Sequence, residues 1–223
     1  AANYMEGSGW MGSLSAIDPN SGYWIMVSED DVLLLMGEPT SRDLEYTLHE
    51  GANLISYPFR YAMTIEDAIP VDAQTSITGI IGEGVAANNM NGNWMGSLSH
   101  LDGSNGYWFI TSSDISLTFN GCDENCAGLT RSIKPTKLED YEFAQSTTQA
   151  FYFIEDIENI EIGDWILAYN GDKVIGARQW QGSIIDVPAM GNDGSDYTKG
   201  YIEAGEVPSF KILRGDELIN LEG

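Results

Sequence analysis

The stretch Trp10-Met-Gly-Ser-Leu-Ser15 occurs a second time, letter for letter, as Trp94-Met-Gly-Ser-Leu-Ser99. With this spacing held fixed, many of the following positions are also identical, most clearly Gly22-Tyr23-Trp24 and Gly106-Tyr107-Trp108. Identity of this length at a constant spacing is the sequence signature of an internal repeat. The sequence therefore predicts that two stretches of the chain share one fold.

Further matches extend the repeat in both directions. The downstream pairs are Asp18 with Asp102, Ser28 with Ser112, Asp30 with Asp114, Leu33 with Leu117 and Gly37 with Gly121. Upstream, Ala1-Ala2-Asn3-Tyr4-Met5 matches Ala86-Ala87-Asn88-Asn89-Met90 after a slip of one residue. The first copy therefore begins in the middle of a repeat unit, and we expect the chain to be a processed or excised piece of a longer product.

The apolar runs of the chain are short and are interrupted every few residues by Gly, Asn or Asp, a pattern typical of all-β proteins. No run approaches the roughly 18 to 20 apolar residues of a membrane-spanning helix. We predict an all-β fold of tandem small β-repeat modules followed by a β-sandwich, with at most one short helical turn per repeat. The predicted modules are a partial repeat at 1–46, a complete repeat at 47–121, a linker with a cysteine loop at 122–133 and the C-terminal β-sandwich at 134–223.

Individual elements follow from local patterns. Leu54-Ile-Ser-Tyr57 and Ile77-Thr-Gly-Ile-Ile81 predict strands, and Thr64-Ile-Glu-Asp67 predicts a capped helical turn that ends at Pro70. In the C-terminal part, Asn170-Gly171 lies between two strand-like runs and favours a β-hairpin, because this pair readily adopts the positive φ angles of a type I′ turn.

Four tryptophans recur at equivalent places in the two repeats: Trp10 and Trp24 in the first, Trp94 and Trp108 in the second. Large aromatic side chains bury much apolar area and often dominate a small core. We therefore predict that these four residues form the repeat core, and a platform for a ligand is the alternative interpretation.

The charge of the chain is strongly negative, with 34 Asp and Glu against 10 Lys and Arg and a net charge of −24. This charge disfavours nucleic acid and anionic membrane surfaces as partners and favours cations. Two interpretations stay open, a soluble extracellular surface and dedicated calcium sites. The best calcium candidate comprises Asp186, Asp193 and Asp196, because oxygen ligands that alternate around a Gly turn suit Ca²⁺; an acidic solvated turn is the alternative.

The two cysteines are close together, in Cys122-Asp-Glu-Asn-Cys126. This spacing does not supply a four-ligand zinc site by itself, and the two histidines, His49 and His100, lie elsewhere in the sequence. A local disulfide is the favoured interpretation, and it would suit an oxidising compartment.

Several motifs resemble modules near the C-terminal ends of large secreted proteins of marine and Bacteroidetes-type bacteria. These motifs are Asn53-Leu-Ile-Ser-Tyr-Pro58, Gly82-Glu-Gly-Val-Ala-Ala87 and Trp94-Met-Gly-Ser-Leu98. A companion module of such proteins is similar to the segment with Ile162-Gly-Asp-Trp-Ile166 and Asp186-Val-Pro-Ala-Met-Gly191. The resemblance implies non-catalytic accessory work in a secreted or cell-surface location, and it implies no particular ligand.

Motifs of enzyme chemistry are not legible in the sequence: the histidines lack a partner motif, and Gly82-Glu-Gly84 lacks the lysine of a phosphate-binding loop. We predict a non-enzymatic extracellular structural or adhesive module. It is a candidate subunit of a filament or surface layer that assembles through an open β edge, with copies of itself or other cell-surface proteins as partners. Glu217-Leu-Ile-Asn-Leu221 is the candidate donor strand.

A carbohydrate-binding accessory module is the alternative prediction. The candidate sugar-binding residues are the aromatic set Trp165, Tyr169, Trp180 and Tyr197. Their ring faces could stack on sugar rings while Asp and Asn side chains bind sugar hydroxyls. A sugar binder should keep a row of solvent-facing aromatics, whereas an assembly subunit should bury the incomplete edge of residues 1–46 against another chain.

Overall fold

The computed structural model describes residues 1–18, 20–29, 31–34, 37–38, 40–103, 105–121 and 138–221. Antiparallel strands dominate these residues, so the all-β prediction is confirmed. The predicted linker at 122–133 and the predicted disulfide between Cys122 and Cys126 lie outside the described residues. Within the described parts of the chain, none of the helices has the length and apolar character needed to cross a bilayer.

The first repeat opens with a hairpin of β1 (Ala2–Met5) and β2 (Gly9–Gly12). A short bridge then joins this repeat to the second one, where Ser21 lies opposite Ile55 and the Gly22 N–H donates to the Leu54 carbonyl at 3.1 Å. The first repeat thus touches the second through the segment that follows its hairpin.

The second repeat is built from nine strands. They are β3 (Glu45–Leu48), β4 (Gly51–Ser56), β5 (Met63–Thr64), β6 (Ile77–Gly82), β7 (Val85–Met90), β8 (Asn93–Met95), β9 (His100–Leu101), β10 (Gly106–Thr111) and β11 (Ile115–Thr118). Five of them form one antiparallel sheet in the order β4-β10-β6-β7-β8, while β3 pairs with β11 and β5 pairs with β9. Strands from the first half of the repeat therefore pair with strands from its second half.

Two helical turns connect β5 to β6, one more than predicted. The first, α1 (Ile65–Ala68), has the predicted cap, because the Thr64 hydroxyl accepts a hydrogen bond from the Asp67 N–H at 3.2 Å. The second, α2 (Val71–Gln74), begins directly after Pro70. Proline ends a helix that precedes it but suits the start of the next, where its missing N–H is not needed.

The core of the second repeat follows the two-residue period of its strands. Along β10, Tyr107 and Phe109 are buried in the core, whereas the intervening Trp108 lies half-buried on the opposite face of the sheet. Leu48 and Leu117, on the paired strands β3 and β11, close the same core from the side. The large apolar residues of this core are therefore supplied by both halves of the repeat.

The C-terminal module has two antiparallel sheets. Its strands are β12 (Gln149–Ile154), β13 (Trp165–Asn170), β14 (Lys173–Gln179), β15 (Ile185–Met190), β16 (Ser209–Arg214) and β17 (Glu217–Asn220). They are arranged as β14-β13-β16-β17 and β12-β15. The predicted hairpin is present, since Asn170 pairs with Lys173 and Gly171 has a φ of 59°. The sheets pack like a sandwich around a shared core that includes Ile166 and Val187.

The candidate donor strand at the C-terminus is already paired within its own module. In β17, Leu218 lies opposite Leu213 and Ile219 opposite Ile212 of β16. Ile212 and Leu213 are themselves buried. Donating this strand to another chain would therefore break a sheet of the C-terminal module, which argues against the donor role that the sequence suggested.

Candidate functional site

The two repeats build the same local structure at their hairpins. The Leu14 N–H donates to the Ala1 carbonyl at 3.2 Å, and the Leu98 N–H donates to the Ala86 carbonyl at 3.0 Å. The slip of one residue lies in the turn, which is longer by one residue in the first hairpin. The equivalent glycines Gly12 and Gly96 have φ of 145° and 129°. Having no Cβ, they let the Ala1 and Ala86 carbonyls approach closely in the two copies.

A tyrosine turn is repeated as well. In the first repeat the Asp18 N–H donates to the Tyr23 hydroxyl at 2.7 Å. In the second, the Asp102 N–H donates to the Tyr107 hydroxyl at 2.8 Å. The first repeat thus has the local geometry of a second half-repeat, although its described residues lack the strands that would complete the sheet.

Equivalent apolar positions differ sharply in exposure between the copies. Ile17 is 69% exposed while its equivalent Leu101 is 0% exposed. Ile25 is 62% exposed against 0% for Phe109. Leu33 is 69% exposed, and its equivalent in the second repeat, Leu117, is fully buried.

We call Ile17, Ile25, Val27 and Leu33 the open face of the first repeat. All four side chains are exposed, and apolar surface exposed to solvent often marks interaction sites in soluble proteins. Full burial of one such side chain is worth about 1.5–3 kcal/mol. The open face therefore offers a large driving force to whatever segment covers it.

The predicted tryptophan core is only partly observed. Trp94 packs half-buried against the core of the second repeat, and Trp108 lies on the other face of its sheet. In the first repeat, Trp24 is half-buried and Trp10 is 71% exposed. The residues that fill the core are instead the neighbours of Trp108 in β10, and strict alternation along that strand would have identified them.

A buried ion pair holds the second repeat and the C-terminal module together. Asp186, fully buried on β15, contacts Arg178 of β14 at 3.0 Å. Its carboxylate also accepts hydrogen bonds from the Ser97 N–H, from the Ser97 hydroxyl at 2.9 Å and from the Ala86 N–H at 3.2 Å. The Arg178 guanidinium donates in addition to the Gly84 carbonyl at 2.6 Å. We call these five residues the joint.

Electrostatics at the joint is balanced between burial and pairing. Burial raises the pKa of Asp186, while the nearby guanidinium of Arg178 and the hydrogen bonds from Ser97 lower it. The net direction is a raised pKa. A buried carboxylate of this kind is held in place only because charged and polar groups from two modules satisfy its oxygens.

An apolar groove lies beside the joint. It has a volume of about 250 Å³ and separates the outer face of the second repeat's sheet from β12 of the C-terminal module. Ile81 and Ile110 line one side, and Phe151 and Phe153 line the other. The contact between the two modules thus combines apolar side chains with the buried ion pair.

The predicted calcium ligands have other partners in the structure. The carboxylate of Asp186 belongs to the joint, and that of Asp193 accepts hydrogen bonds from Thr147, Ser195 and Thr198. Asp196 is exposed at the start of a short 3₁₀ turn. Within the part of the chain that the structure describes, no group of three or more His, Cys, Asp or Glu side chains could hold a metal ion. The calcium site stays a prediction, and the three predicted ligands are not grouped in the structure.

Asp193 instead acts as the centre of a polar turn. Burial raises the pKa of Asp193, but hydrogen bonds from Thr198, Thr147 and Ser195 outweigh that effect and hold it well below its ordinary value. Stability from this carboxylate is therefore present above its unfolded pKa of about 4 and is lost as the pH falls below that value.

We expect Asp193→Asn to weaken the acid sensitivity of the C-terminal module. In urea titrations between pH 7 and pH 3, the variant should lose less stability on acidification than the original chain, because no carboxylate at this site needs to be protonated. Asp196→Asn, at an exposed neighbour, is the matched control and should leave the pH dependence close to that of the original chain. Equal acid sensitivity in all three chains would contradict this assignment.

The four aromatic residues proposed for sugar binding do not form an exposed row. Tyr169 and Trp180 are buried in two different clusters of the C-terminal module, and Trp165 is half-buried. Tyr197 is 71% exposed. The Tyr169 ring is covered by Lys211, whose Nζ lies 4.5 Å from the ring centroid.

Comparison with known proteins adds no assignment. No family model, curated protein or solved structure matches the chain. The resemblance to modules of secreted bacterial proteins therefore stays a prediction. Two features of the described residues bear on function, the open face and the joint.

Proposed function

We propose that this chain is a non-enzymatic structural or adhesive segment of an extracellular protein, in which β modules stand in series at a fixed spacing. The joint carries this proposal. Asp186 and Arg178 come from one module, and their partners Ser97, Ala86 and Gly84 come from the other. Because a buried charge must keep its partners, separation of the two modules would be costly.

Apolar side chains of both modules line one groove, which supports the same proposal. Phe151 and Phe153 of β12 face Ile81 and Ile110 of the second repeat across the groove. A Cβ atom placed on Gly96 would come within 3.2 Å of the Phe153 ring, so the two modules approach each other closely there. Contacts of this kind suit a rigid spacer better than two modules on a flexible tether.

The perturbed carboxylates support a structural role over a catalytic one. A side-chain hydrogen bond from Arg214 lowers the pKa of Asp164, with the Arg214 guanidinium 2.6 Å from the carboxylate. Asp186 and Asp193 are likewise held by partners that stabilise the fold. Catalytic acids and bases usually face a cleft that can admit substrate.

The extracellular location rests on the acidity of the chain and on its resemblance to secreted modules. A net charge of −24 keeps a surface soluble and repels nucleic acid and anionic lipid. The partners that fit the proposal are other cell-surface proteins. Carbohydrate binding receives little support, because Tyr169 and Trp180 of the candidate platform are buried.

The proposal is tested by measuring the spacing of the two modules. Spin labels are placed at Asp72 and Asp216, which are exposed on the second repeat and on the C-terminal module, in a chain with Cys122 and Cys126 replaced by Ser. We expect a single narrow distribution of distances from pulsed electron resonance. A broad distribution, or selective binding of the original chain on a glycan array, would overturn the spacer role and favour an accessory sugar-binding module.

A further inference from the structure

We propose that the open face of the first repeat binds a first-half repeat segment, a polypeptide with the strand and helix pattern of residues 45–82. The inference deepens the proposed function and rests on it, because it names the partner through which the segment is extended. In the second repeat, the positions equivalent to the open face are covered by the first half of the same repeat.

In the second repeat, strands β10 and β11 pair with strands of the first half. β10 lies between β4 and β6, and β11 pairs with β3. The equivalents of β10 and β11 in the first repeat are residues 22–27 and the described residues 31–34, which are not paired in this way. Their missing partners are therefore counterparts of β3, β4 and β6.

The buried side chains of the second repeat identify the same missing partner. Leu48, Ile55, Ile65, Ile77 and Ile80 are all buried, all come from the first half of the second repeat, and all belong to its core. That core also contains Leu101, Phe109 and Leu117, the equivalents of Ile17, Ile25 and Leu33 of the open face. A segment with the first-half pattern would thus present apolar side chains at the places where the open face has none opposite it.

A second copy of this chain is a poor occupant. The described residues contain one first half, at 45–82, and two second halves, within 1–34 and 85–118. If a copy inserted its first half into a neighbour, its own Phe109 and Leu117 would become exposed, so the exchange would bury no additional core. The other candidate donor, β17, is held in its own sheet.

The chemistry of the face also favours a polypeptide. The open face is aliphatic, whereas sugar rings are bound by stacking on aromatic faces together with hydrogen bonds to polar groups. Its residues lie in strand equivalents that, beyond Gly22, form no ladder within the described residues, and a polypeptide can extend such segments as a sheet. The net charge of −24 disfavours an anionic lipid surface.

The connection between the halves of the second repeat shows how such a segment can be fused to the chain for a test. In the second repeat, β6 ends at Gly82 and β7 begins at Val85, so the two halves are joined by a tight turn. Ala1 is the equivalent of Ala86, one residue after that junction. A first-half segment attached to Ala1 would therefore reach the open face through the same turn.

The test is a fusion in which residues 44–85 are copied ahead of Ala1. Hydrogen exchange followed by mass spectrometry reports on residues 22–27 and 31–34. We expect their exchange to slow by at least about 100-fold relative to the original chain, approaching that of their equivalents in the second repeat. A calorimetric scan should show additional heat of unfolding from the newly completed repeat.

Two matched variants of the fusion identify the contact. The double substitution Ile77→Asp and Ile80→Asp, made only in the copied segment, should abolish the slowing of hydrogen exchange. Both side chains are buried in the core of the second repeat. Leu33→Asp should abolish the slowing from the other side. Unchanged exchange in the fusion, equal slowing in both variants, or slowing in the original chain at high concentration would each overturn the proposal, the last in favour of a second copy.

Failure of this inference is distinguishable from failure of the proposed function. The distance between labels at Asp72 and Asp216 is measured in the chain without any addition, and neither label lies in the first repeat. A narrow distance distribution, together with unchanged hydrogen exchange in the fusion, would overturn only the proposal that a first-half segment binds the open face. A broad distribution would overturn the rigid spacer whatever the fusion does.

Discussion

Leu117→Ala is expected to lower the free energy of unfolding of the second repeat by about 2–5 kcal/mol, the usual range for loss of a buried leucine. Leu117 is 0% exposed and belongs to the core formed by both halves of the repeat. Its strand, β11, is held by β3 alone, so the neighbouring backbone has pairing on one side only. Urea titration followed by circular dichroism measures the change.

The first repeat provides a control of the same residue type at the equivalent position. Leu33→Ala removes the same atoms from a side chain that is 69% exposed, and we expect a change within about 0.5 kcal/mol. The contrast between two identical substitutions tests the different environments of the repeats directly. A loss of more than about 1 kcal/mol at Leu33 would mean that the open face is already covered in solution.

The repeat and its strands could be predicted because their signals are local or recur along the chain. The identity between Trp10-Met-Gly-Ser-Leu-Ser15 and Trp94-Met-Gly-Ser-Leu-Ser99 marks hairpins that are the same in both copies. The Asn170-Gly171 turn and the Thr64 cap depend on a few adjacent residues, and both are observed. Each of these features is decided by backbone preferences over a short stretch.

The place of the tryptophans is harder to predict from sequence, because the face that a strand residue occupies decides its burial more than its size does. Side chains on a strand alternate between faces, so Trp108 and Phe109 cannot both enter the same core. The structure buries Phe109 and leaves Trp108 half-buried on the other side. Trp10 has the sequence context of Trp94, yet it is 71% exposed, because burial at this position depends on strands that the described residues of its repeat lack.

The joint could not be predicted from local patterns. In sequence, Asp193 and Asp196 follow Asp186 closely, and this spacing predicts a calcium loop. Its actual partners include Ser97, which lies in another module and is brought near by the packing of β7 against β15. A contact of this kind depends on how two modules meet, and single-sequence patterns carry no signal for that arrangement.

Arg178→Ala is expected to destabilise the contact between the second repeat and the C-terminal module by about 3–5 kcal/mol at pH 7, the cost of removing one partner from a buried ion pair. The substitution leaves the Asp186 carboxylate buried without its counter-charge and leaves the Gly84 carbonyl without its hydrogen bond from the guanidinium. The variant should unfold at lower urea concentration. Labels at Asp72 and Asp216 should also report a broader distribution of distances.

The pH dependence of this loss identifies its cause. Burial already raises the pKa of Asp186, and removal of Arg178 eliminates the main charge that opposes the rise. The folded variant should therefore bind a proton more readily than the unfolded chain, and its penalty relative to the original chain should shrink as the pH falls from 7 towards 4. Arg60→Ala, at an exposed arginine of the second repeat, should leave both stability and spacing nearly unchanged. If Arg178→Ala also leaves them unchanged, the ion pair does not hold the two modules together and the proposed role of the joint is wrong.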